Sequence, residues 1–301
     1  MAKAELAAIL ATLRERKFDP QAREAVLRAG LDRLGEGFAL PAGIAVERVT
    51  LAGLPTDRLT AKAGGPIVLF YHGGGYVTGS SASHRHVAAL LAQEIGGEVY
   101  LPNYRLAPEA PFPAALDDAL AAYRDLASRD PHCPIVLVGD SAGGGLVFAV
   151  AVAAREAGLP TPAGLVGMSP WVNLGVENES YEKLASVDPM LSARVTQYYS
   201  ERYLAGRPVK DPAASPLFAD LSNLPPTLIQ VGDHEVFFGD AVRLHQALIC
   251  AGVDSELSVW KRMFHVWQLY WPVLSEGRAA IEAAADFIRL AGQGHSPKEK
   301  P

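Results

Sequence analysis

The stretch IVLVGDSAGGG, Ile135 to Gly145, joins an apolar run to a serine with small neighbours on both sides. Four aliphatic residues in succession are typical of a short buried strand. The glycines after the serine each weaken a helix start by about 1 kcal/mol relative to alanine, yet a helical apolar pattern continues from them to Gly158. A requirement on the backbone therefore outweighs helix propensity at this point.

Gly139-Asp140-Ser141-Ala142-Gly143 matches the pattern G-x-S-x-G between a predicted strand and a predicted helix. In this setting the serine occupies a sharp, strained turn that lifts its hydroxyl above the sheet edge. The amide of Ala142 then lies at a helix N-terminus, which favours negative charge. The pattern predicts Ser141 as a nucleophile; a glycine- and serine-rich turn without chemistry is the alternative.

A second glycine run, YHGGGY from Tyr71 to Tyr76, also follows an apolar strand. Successive glycines expose backbone N–H groups with no Cβ in the way, as an oxyanion hole requires. Gly74 and Gly75 are the predicted donors, joined by the amide of Ala142, and His72 is expected to hold the loop in shape. Nucleotide binding is disfavoured because neither G-x-G-x-x-G nor G-K-[ST] occurs here.

A hydroxyl nucleophile needs a base, and the base needs an orienting acid. Among the histidines after Ser141, His295 lies in a polar tail and His245 in a predicted helix. His265 follows the predicted strand SELSVW, at a carboxyl end where catalytic loops gather. The sequence therefore predicts His265 as the base.

The candidate acids are three carboxylates that follow the predicted strand TLIQV. Asp240 is expected to lie solvated in the next helix. Glu235 is preferred as the triad acid, and Asp233 remains the open alternative.

Strand and helix patterns alternate along the chain, which indicates βαβ units and a mostly parallel central sheet flanked by helices. A strand is expected near 44–51, with a turn at Leu54-Pro55. Two helical segments outside the alternation are expected to form a small cap. The predicted parts are an N-terminal helical cap segment (1–40), a first core part (41–177), a cap insertion (178–216), a second core part (217–291) and a disordered tail (292–301).

Composition restricts the class of protein further. A chain of 301 residues with a net charge of −6 and no Lys/Arg stripe is not expected to bind nucleic acid. No uncharged apolar stretch reaches the about 18 residues of a membrane span, and the N-terminus does not resemble a signal peptide. Cys133 and Cys250 are expected to be buried free thiols in a reducing cytoplasm, which is the predicted location.

Several motifs together resemble the bacterial hormone-sensitive-lipase-like carboxylesterases of the α/β-hydrolase superfamily. They are HGGGY, NYRLAPE (Asn103–Glu109), GDSAGG, DPML (Asp188–Leu191), the GDHEV acid region and the final histidine. The resemblance implies an α/β-hydrolase fold with a helical cap, a Ser–acid–His triad and a homodimer. It also implies hydrolysis of short- to medium-chain acyl esters, with a small-molecule ester as partner and neither cofactor nor metal.

The sequence departs from the family pattern at the acid, where HEVFFGD replaces the Asp-Pro-Leu segment of many members. Alignment on the following helix puts Glu235 there. Arg105, Glu109 and Asp188 are expected to brace the loops around the site.

Substrate choice is expected to come from the cap and from apolar walls. The side chains expected to contribute are Tyr76, Trp171, Met190, Leu191, Val266 and Trp267. An amidase or peptidase with the same triad is one alternative function. A non-catalytic ligand-binding protein is another, because a fold does not fix a function; the presence of His265 disfavours it.

Overall fold

The computed structural model describes residues 2–15, 18–129 and 133–293, and residues 294–301 of the predicted tail lie outside these ranges. Within these ranges, eight strands form one sheet in the order β1-β2-β4-β3-β5-β6-β7-β8. The strands are β1 Ala45–Leu51, β2 Leu54–Thr60, β3 Ile67–Tyr71, β4 Glu98–Pro102, β5 Ile135–Asp140, β6 Gly164–Met168, β7 Thr227–Gly232 and β8 Ser255–Trp260. β1 and β2 pair antiparallel, β2 also runs antiparallel to β4, and the other pairs are parallel. The mostly parallel α/β architecture predicted from the sequence is confirmed.

The α-helices lie on both faces of the sheet and above its carboxyl edge. They are α1 Ala2–Glu15, α2 Glu24–Glu36, α3 Ser81–Ile95, α4 Ala114–Arg129, α5 Ser141–Glu156, α6 Ser180–Lys183, α7 Ala193–Leu204, α8 Phe238–Cys250 and α9 Ser275–Gly292. The last helix therefore extends to the first residue of the segment expected to be a disordered tail. No helix in the described ranges is long and apolar enough to cross a membrane.

Alternate residues of the buried strands point to opposite faces, as strand geometry requires. On β3, Leu69 and Tyr71 pack in the apolar cluster that includes residues of α4, α5 and α8. Val68 and Phe70 belong instead to the cluster that includes α1, α3 and α9. Because both faces are covered by helices, β3 and β5 are continuous apolar runs.

The expected turn at Leu54-Pro55 is wrong, because these residues begin β2. The turn is Ala52-Gly53, with φ angles of 48° and 83°, and Leu51 pairs directly with Leu54. Two consecutive positive φ angles are what a tight two-residue hairpin needs. Neither Cys133 nor Cys250 forms a disulfide within the described residues, as expected, but the expectation that both are buried is wrong, since Cys250 is exposed and Cys133 only half-buried.

The N-terminal segment and the cap insertion, which lie outside the alternation of strands and helices, contact each other over the carboxyl edge of the sheet. Glu24 of α2 pairs with Arg202 of α7 at 3.4 Å, and the ring of Phe18 meets that of Tyr198 edge-on at 4.9 Å. On the other side of α7, Tyr203 stacks on Tyr76 with 3.7 Å between ring centroids. The insertion is thereby packed between the N-terminal segment and the glycine loop.

One arginine fastens α2 to the core. Arg28 donates from Nε to the Val77 carbonyl at 2.9 Å and from Nη2 to the Ala107 carbonyl at 3.0 Å. It also forms a two-pronged ion pair with Glu109 at 2.8 and 2.6 Å. Glu109 of the NYRLAPE segment thus braces the cap, whereas Arg105 of that segment pairs with Asp118 of α4 at 2.7 Å.

Candidate active site

Ser141 lies where β5 turns into α5, with a φ angle of +51°. A side chain at positive φ is strained and persists only where the surroundings enforce it. The close packing of the turn does so: a Cβ at Gly139 would lie 2.4 Å from the Gly143 carbonyl oxygen, and one at Gly143 would lie 1.9 Å from that of Tyr71. The glycines around Ser141 are therefore required by the contact of this turn with β3.

His265 lies in the loop after β8, with its ring against Ser141. Its Nε2 is 2.9 Å from the Ser141 Oγ, and the side chain is only 5% exposed. The ring of Phe237 packs edge-on against the imidazole, with 4.9 Å between centroids. This distance and orientation are within the range for transfer of a proton between the two groups.

Glu235 is fully buried behind His265. Its Oε2 is 2.7 Å from the His265 Nδ1, so the carboxylate can hold the imidazole and balance a positive charge on it. Its Oε1 accepts hydrogen bonds from the Gly232 amide and from the Ser169 hydroxyl, each at 2.7 Å. A buried carboxylate is tolerated here because each oxygen has donors.

Ser169 is a site residue that the sequence analysis missed. Besides donating to Glu235, its hydroxyl accepts the Val266 amide at 3.1 Å. It therefore joins the loop that carries the acid to the loop that carries the histidine. Its positive φ of 48° is not recognisable from SPW, although its place directly after β6 is a signal of the kind used for the other strands.

The remaining acid candidates lie elsewhere. The Asp233 carboxylate contacts Nδ1 of its neighbour His234 at 2.6 Å and accepts the Arg262 amide. The expectation that Asp240 is solvated is wrong: it is buried in α8 and accepts a 2.6 Å hydrogen bond from Asn178. Burial raises the pKa of Asp240, and amide donors nearby oppose that rise.

Gly74 and Gly75 face the cavity beside Ser141. Both have positive φ angles, +120° and +65°. A Cβ would lie 2.3 Å from the Thr78 carbonyl oxygen at the first position and 2.6 Å from the Tyr199 ring at the second. These two positions thus require glycine, and their backbone can approach a ligand closely.

His72 lies at the base of this loop. Its Nδ1 donates to the Gly73 carbonyl at 2.9 Å, and its ring stacks on Tyr104 with 4.2 Å between centroids. Burial lowers the pKa of His72 to about 3. The imidazole is therefore neutral at physiological pH and holds the loop that carries Gly74.

A cavity of about 780 Å³ opens over Ser141 and His265. Four of the side chains expected to line it do so: Trp171, Met190, Leu191 and Val266. Tyr76 and Trp267 are fully buried in the core instead. The sequence analysis missed the apolar wall from α2 and its C-terminal end, formed by Val26, Leu27, Leu31, Leu34 and Phe38.

Asp188 of the DPML segment braces the acid loop. It accepts the amides of Met190 and Leu191 at 2.8 Å each, and the amide of Val236 at 2.9 Å. Burial raises the pKa of Asp188, and the backbone donors partly offset that rise. The carboxylate thereby links the cap insertion to the residue after Glu235.

Across the part of the chain that the structure describes, no three His, Cys, Asp or Glu side chains are grouped so as to hold a metal ion.

Comparison with known proteins identifies the family to which this fold belongs. A family model for the alpha/beta hydrolase fold matches residues 68–269. An acetyl-hydrolase of Streptomyces hygroscopicus is 46% identical over 238 residues, which cover 78% of this chain and 79% of the relative. An esterase of Acinetobacter venetianus is 31% identical over 265 residues, 87% of each chain.

Solved structures agree closely. An esterase from the bacterial hormone-sensitive lipase family superposes with a TM-score of 0.91 at 40% identity, covering 95% of this chain and 97% of the other. The fold and these likenesses define a carboxylic-ester hydrolase with esterase or acetyl-hydrolase activity. Within the α/β-hydrolase superfamily, the chain belongs to the bacterial hormone-sensitive-lipase-like group, which confirms the resemblance drawn from its motifs.

Proposed function

We propose that this protein hydrolyses short- to medium-chain acyl esters through an acyl-enzyme, with Ser141 as nucleophile, His265 as general base and acid, and Glu235 as the orienting acid. The observation that supports this assignment is the continuous hydrogen-bonded series from Glu235 through His265 to Ser141, at 2.7 and 2.9 Å. The series borders the cavity that has apolar walls on both cap segments.

In the first half of the reaction, Ser141 Oγ bonds to the ester carbonyl carbon while its proton passes to His265 Nε2. The carbonyl electron pair moves onto oxygen, and the amides of Gly74, Gly75 and Ala142 donate to the oxyanion. When the pair returns, the bond to the alcohol oxygen breaks and His265 gives that oxygen its proton. The alcohol leaves, and the acyl group stays on Ser141.

In the second half, water takes the place of the alcohol. His265 accepts a proton from the water as its oxygen bonds to the acyl carbon, and the same amides hold the second oxyanion. Collapse breaks the bond to Ser141 Oγ, which recovers a proton from His265. Glu235 stabilises the imidazolium in both halves and keeps its own charge.

The expected chain-length preference is based on the volume of the cavity and on a similar esterase. Its 780 Å³ lies within the about 300–1,000 Å³ typical of small-molecule sites. The similar esterase EstE5, 39% identical with a TM-score of 0.91 over 96% of this chain and 99% of its own, was crystallised and soaked with p-nitrophenyl butyrate. We therefore expect acyl chains near butyrate to be preferred over palmitate.

The proposal is tested with a series of p-nitrophenyl esters from acetate to palmitate, measured on the native protein and on three single-residue variants. Ser141→Ala should lower kcat by about 10⁴-fold or more and Glu235→Ala by about 10³- to 10⁴-fold, as in other triads. Asp233→Ala is the matched control and should keep kcat within about threefold, because the Asp233 carboxylate contacts His234 and the Arg262 amide and not His265. Full activity of Ser141→Ala, or a rate maximum at palmitate, would overturn the proposal.

A further inference from the structure

A second pair of histidine and carboxylate, His84 and Asp140, borders the same cavity as Ser141. Asp140, the last residue of β5, is 2% exposed, and His84 of α3 is 1% exposed. The Asp140 Oδ1 accepts the Gly73 amide at 2.9 Å, and its Oδ2 is 3.3 Å from the His84 Nε2. One carboxylate thus contacts both α3 and the residue immediately before Gly74.

The hydrogen bonds of Ser83 determine which His84 nitrogen carries a proton. The Ser83 Oγ is 2.7 Å from the His84 Nδ1 and 2.8 Å from the Ser80 carbonyl oxygen. A hydroxyl has one hydrogen and can donate it to only one of these acceptors. If it donates to Nδ1, His84 is neutral with its proton on Nε2; if it donates to Ser80, His84 Nδ1 donates to the hydroxyl.

Only states with a proton on Nε2 place a donor against Asp140. A neutral ring with its proton on Nδ1 would turn the Nε2 lone pair toward the buried carboxylate, which is unfavourable. In the two remaining states, neutral and imidazolium, Nε2–H donates to Asp140, and rotation of the Ser83 hydroxyl accommodates the difference. The contact to Asp140 therefore survives a change in the charge of His84.

The neighbouring histidines carry no positive charge that would compete with His84 for the Asp140 carboxylate. His72 lies 5.6 Å away between ring centroids, and burial lowers the pKa of His72 to about 3 and that of His86 on the same helix to about 4. Both are neutral near pH 7. From α2, the Asp32 carboxylate accepts a hydrogen bond from the Ser80 hydroxyl at 2.6 Å, so it is connected to His84 only through Ser80 and Ser83.

We propose that His84 is a positioning residue for the esterase reaction: it holds Asp140, and through the Gly73 amide it fixes the Gly74 and Gly75 N–H groups toward the oxyanion. The inference rests on the proposed function, because it adds a residue to that same site. His84 and Asp140 both border the cavity with Ser141. The loss of His84 should therefore affect the transition state more than substrate binding.

The test compares His84→Gln with His84→Met, two side chains of similar length of which only glutamine has an N–H donor. His84→Met should lower kcat for the butyrate ester by about 10- to 100-fold, less than loss of an oxyanion donor itself, with KM within about threefold. His84→Gln should stay within about fivefold of the native kcat. His86→Met, a buried histidine that does not face Asp140, is the control and should leave kcat unchanged.

A boronic acid that forms a tetrahedral adduct on Ser141 should lose affinity in His84→Met in parallel with kcat, whereas a purely structural role would not link the two. Equal kcat in the methionine and glutamine variants, or a rise in KM alone, overturns the inference. If Ser141→Ala is inactive and His84→Met is not impaired, only this inference fails; full activity of Ser141→Ala refutes the proposed function instead.

A measurement on the native protein keeps the test decisive even if His84→Met does not fold. With ¹⁵N-labelled histidine, the Nε2 of His84 should carry its proton throughout about pH 6 to 9, in either charge state of the ring. A neutral ring protonated only on Nδ1 would overturn the inference.

Discussion

Replacing Ser169 by alanine removes a hydroxyl that no motif marks but that joins two parts of the active site. The change takes a donor at 2.7 Å from Glu235 Oε1 and an acceptor at 3.1 Å from the Val266 amide. It leaves the contact between Glu235 Oε2 and His265 in place. We therefore expect a weakened acid rather than an absent one.

The magnitude follows from the two lost partners. A hydrogen bond to a charged group contributes about 1.5–3 kcal/mol, and a buried N–H left without a partner costs about 1–3 kcal/mol. Because Glu235 keeps the Gly232 amide and the two terms share one hydroxyl, the loss should be less than their sum, about 2–4 kcal/mol in the free energy of unfolding. Loss of the triad acid itself costs about 10⁴-fold in kcat, so a misaligned acid should cost about 10- to 100-fold.

The assay is kcat on the butyrate ester together with urea unfolding, for Ser169→Ala and for Ser215→Ala. Ser215 is an equally buried bridge, since its hydroxyl donates to the Val209 carbonyl at 2.6 Å and accepts the Leu174 amide at 3.0 Å. Ser215→Ala should lose somewhat less stability, because its acceptor is a neutral carbonyl, and its kcat should be unchanged. If both variants lose kcat equally, or Ser169→Ala keeps native kcat, the reasoning about Ser169 is refuted.

Two further predictions concern the glycine loop and two buried histidines, His72 beside that loop and His86 on α3. Gly75→Ala places a Cβ 2.6 Å from the Tyr199 ring and should lower kcat by about tenfold or more. Adding Tyr199→Ala should restore part of the lost kcat, with a coupling energy of about 1 kcal/mol between the two substitutions. If kcat is not restored in the double variant, the clash with Tyr199 is not the cause. Burial lowers the pKa of His72 to about 3 and of His86 to about 4 from 6.5, so the unfolded chain binds more protons below pH 6.5 and stability falls as the pH drops. Each histidine should cost about 2 kcal/mol between pH 7 and pH 5 in urea unfolding, and an unchanged pH dependence in His86→Met would contradict this.

Local sequence patterns were enough to predict the class of fold. The apolar runs of β3 and β5 are explained by their burial. The pattern of glycines around Ser141 can be recognised within five residues, although a distant contact with β3 is what requires glycine at position 143. β2 was missed because its polar Asp57 is buried through a contact with Arg85 at 2.7 Å, far away in sequence. A buried polar residue held by a distant partner leaves no hydrophobic period to recognise.

Within the candidate site, too, positions set by local sequence patterns could be predicted, whereas contacts between distant segments could not. Ser141, His265 and Glu235 each follow a strand, so their positions could be predicted from the alternation of elements. Their roles remain predictions that the proposed assays test. The burial of Asp240 could not be predicted from its own helix, because the amide group that binds it belongs to Asn178 in the cap insertion. Ser169 was missed because its hydrogen-bond partners lie on two other loops.

Helix α2 is attached to the core by Arg28 on one side and lines the cavity on the other. The guanidinium group grips carbonyl groups next to the glycine loop, while the apolar side chains of α2 face the cavity from the other side. Ser141 and His265, the proposed nucleophile and base, lie at the edge of the sheet, whereas α2 contributes a separate apolar wall of the cavity. We therefore expect substitutions at these apolar positions to change ester selectivity while leaving the contacts among Ser141, His265 and Glu235 intact.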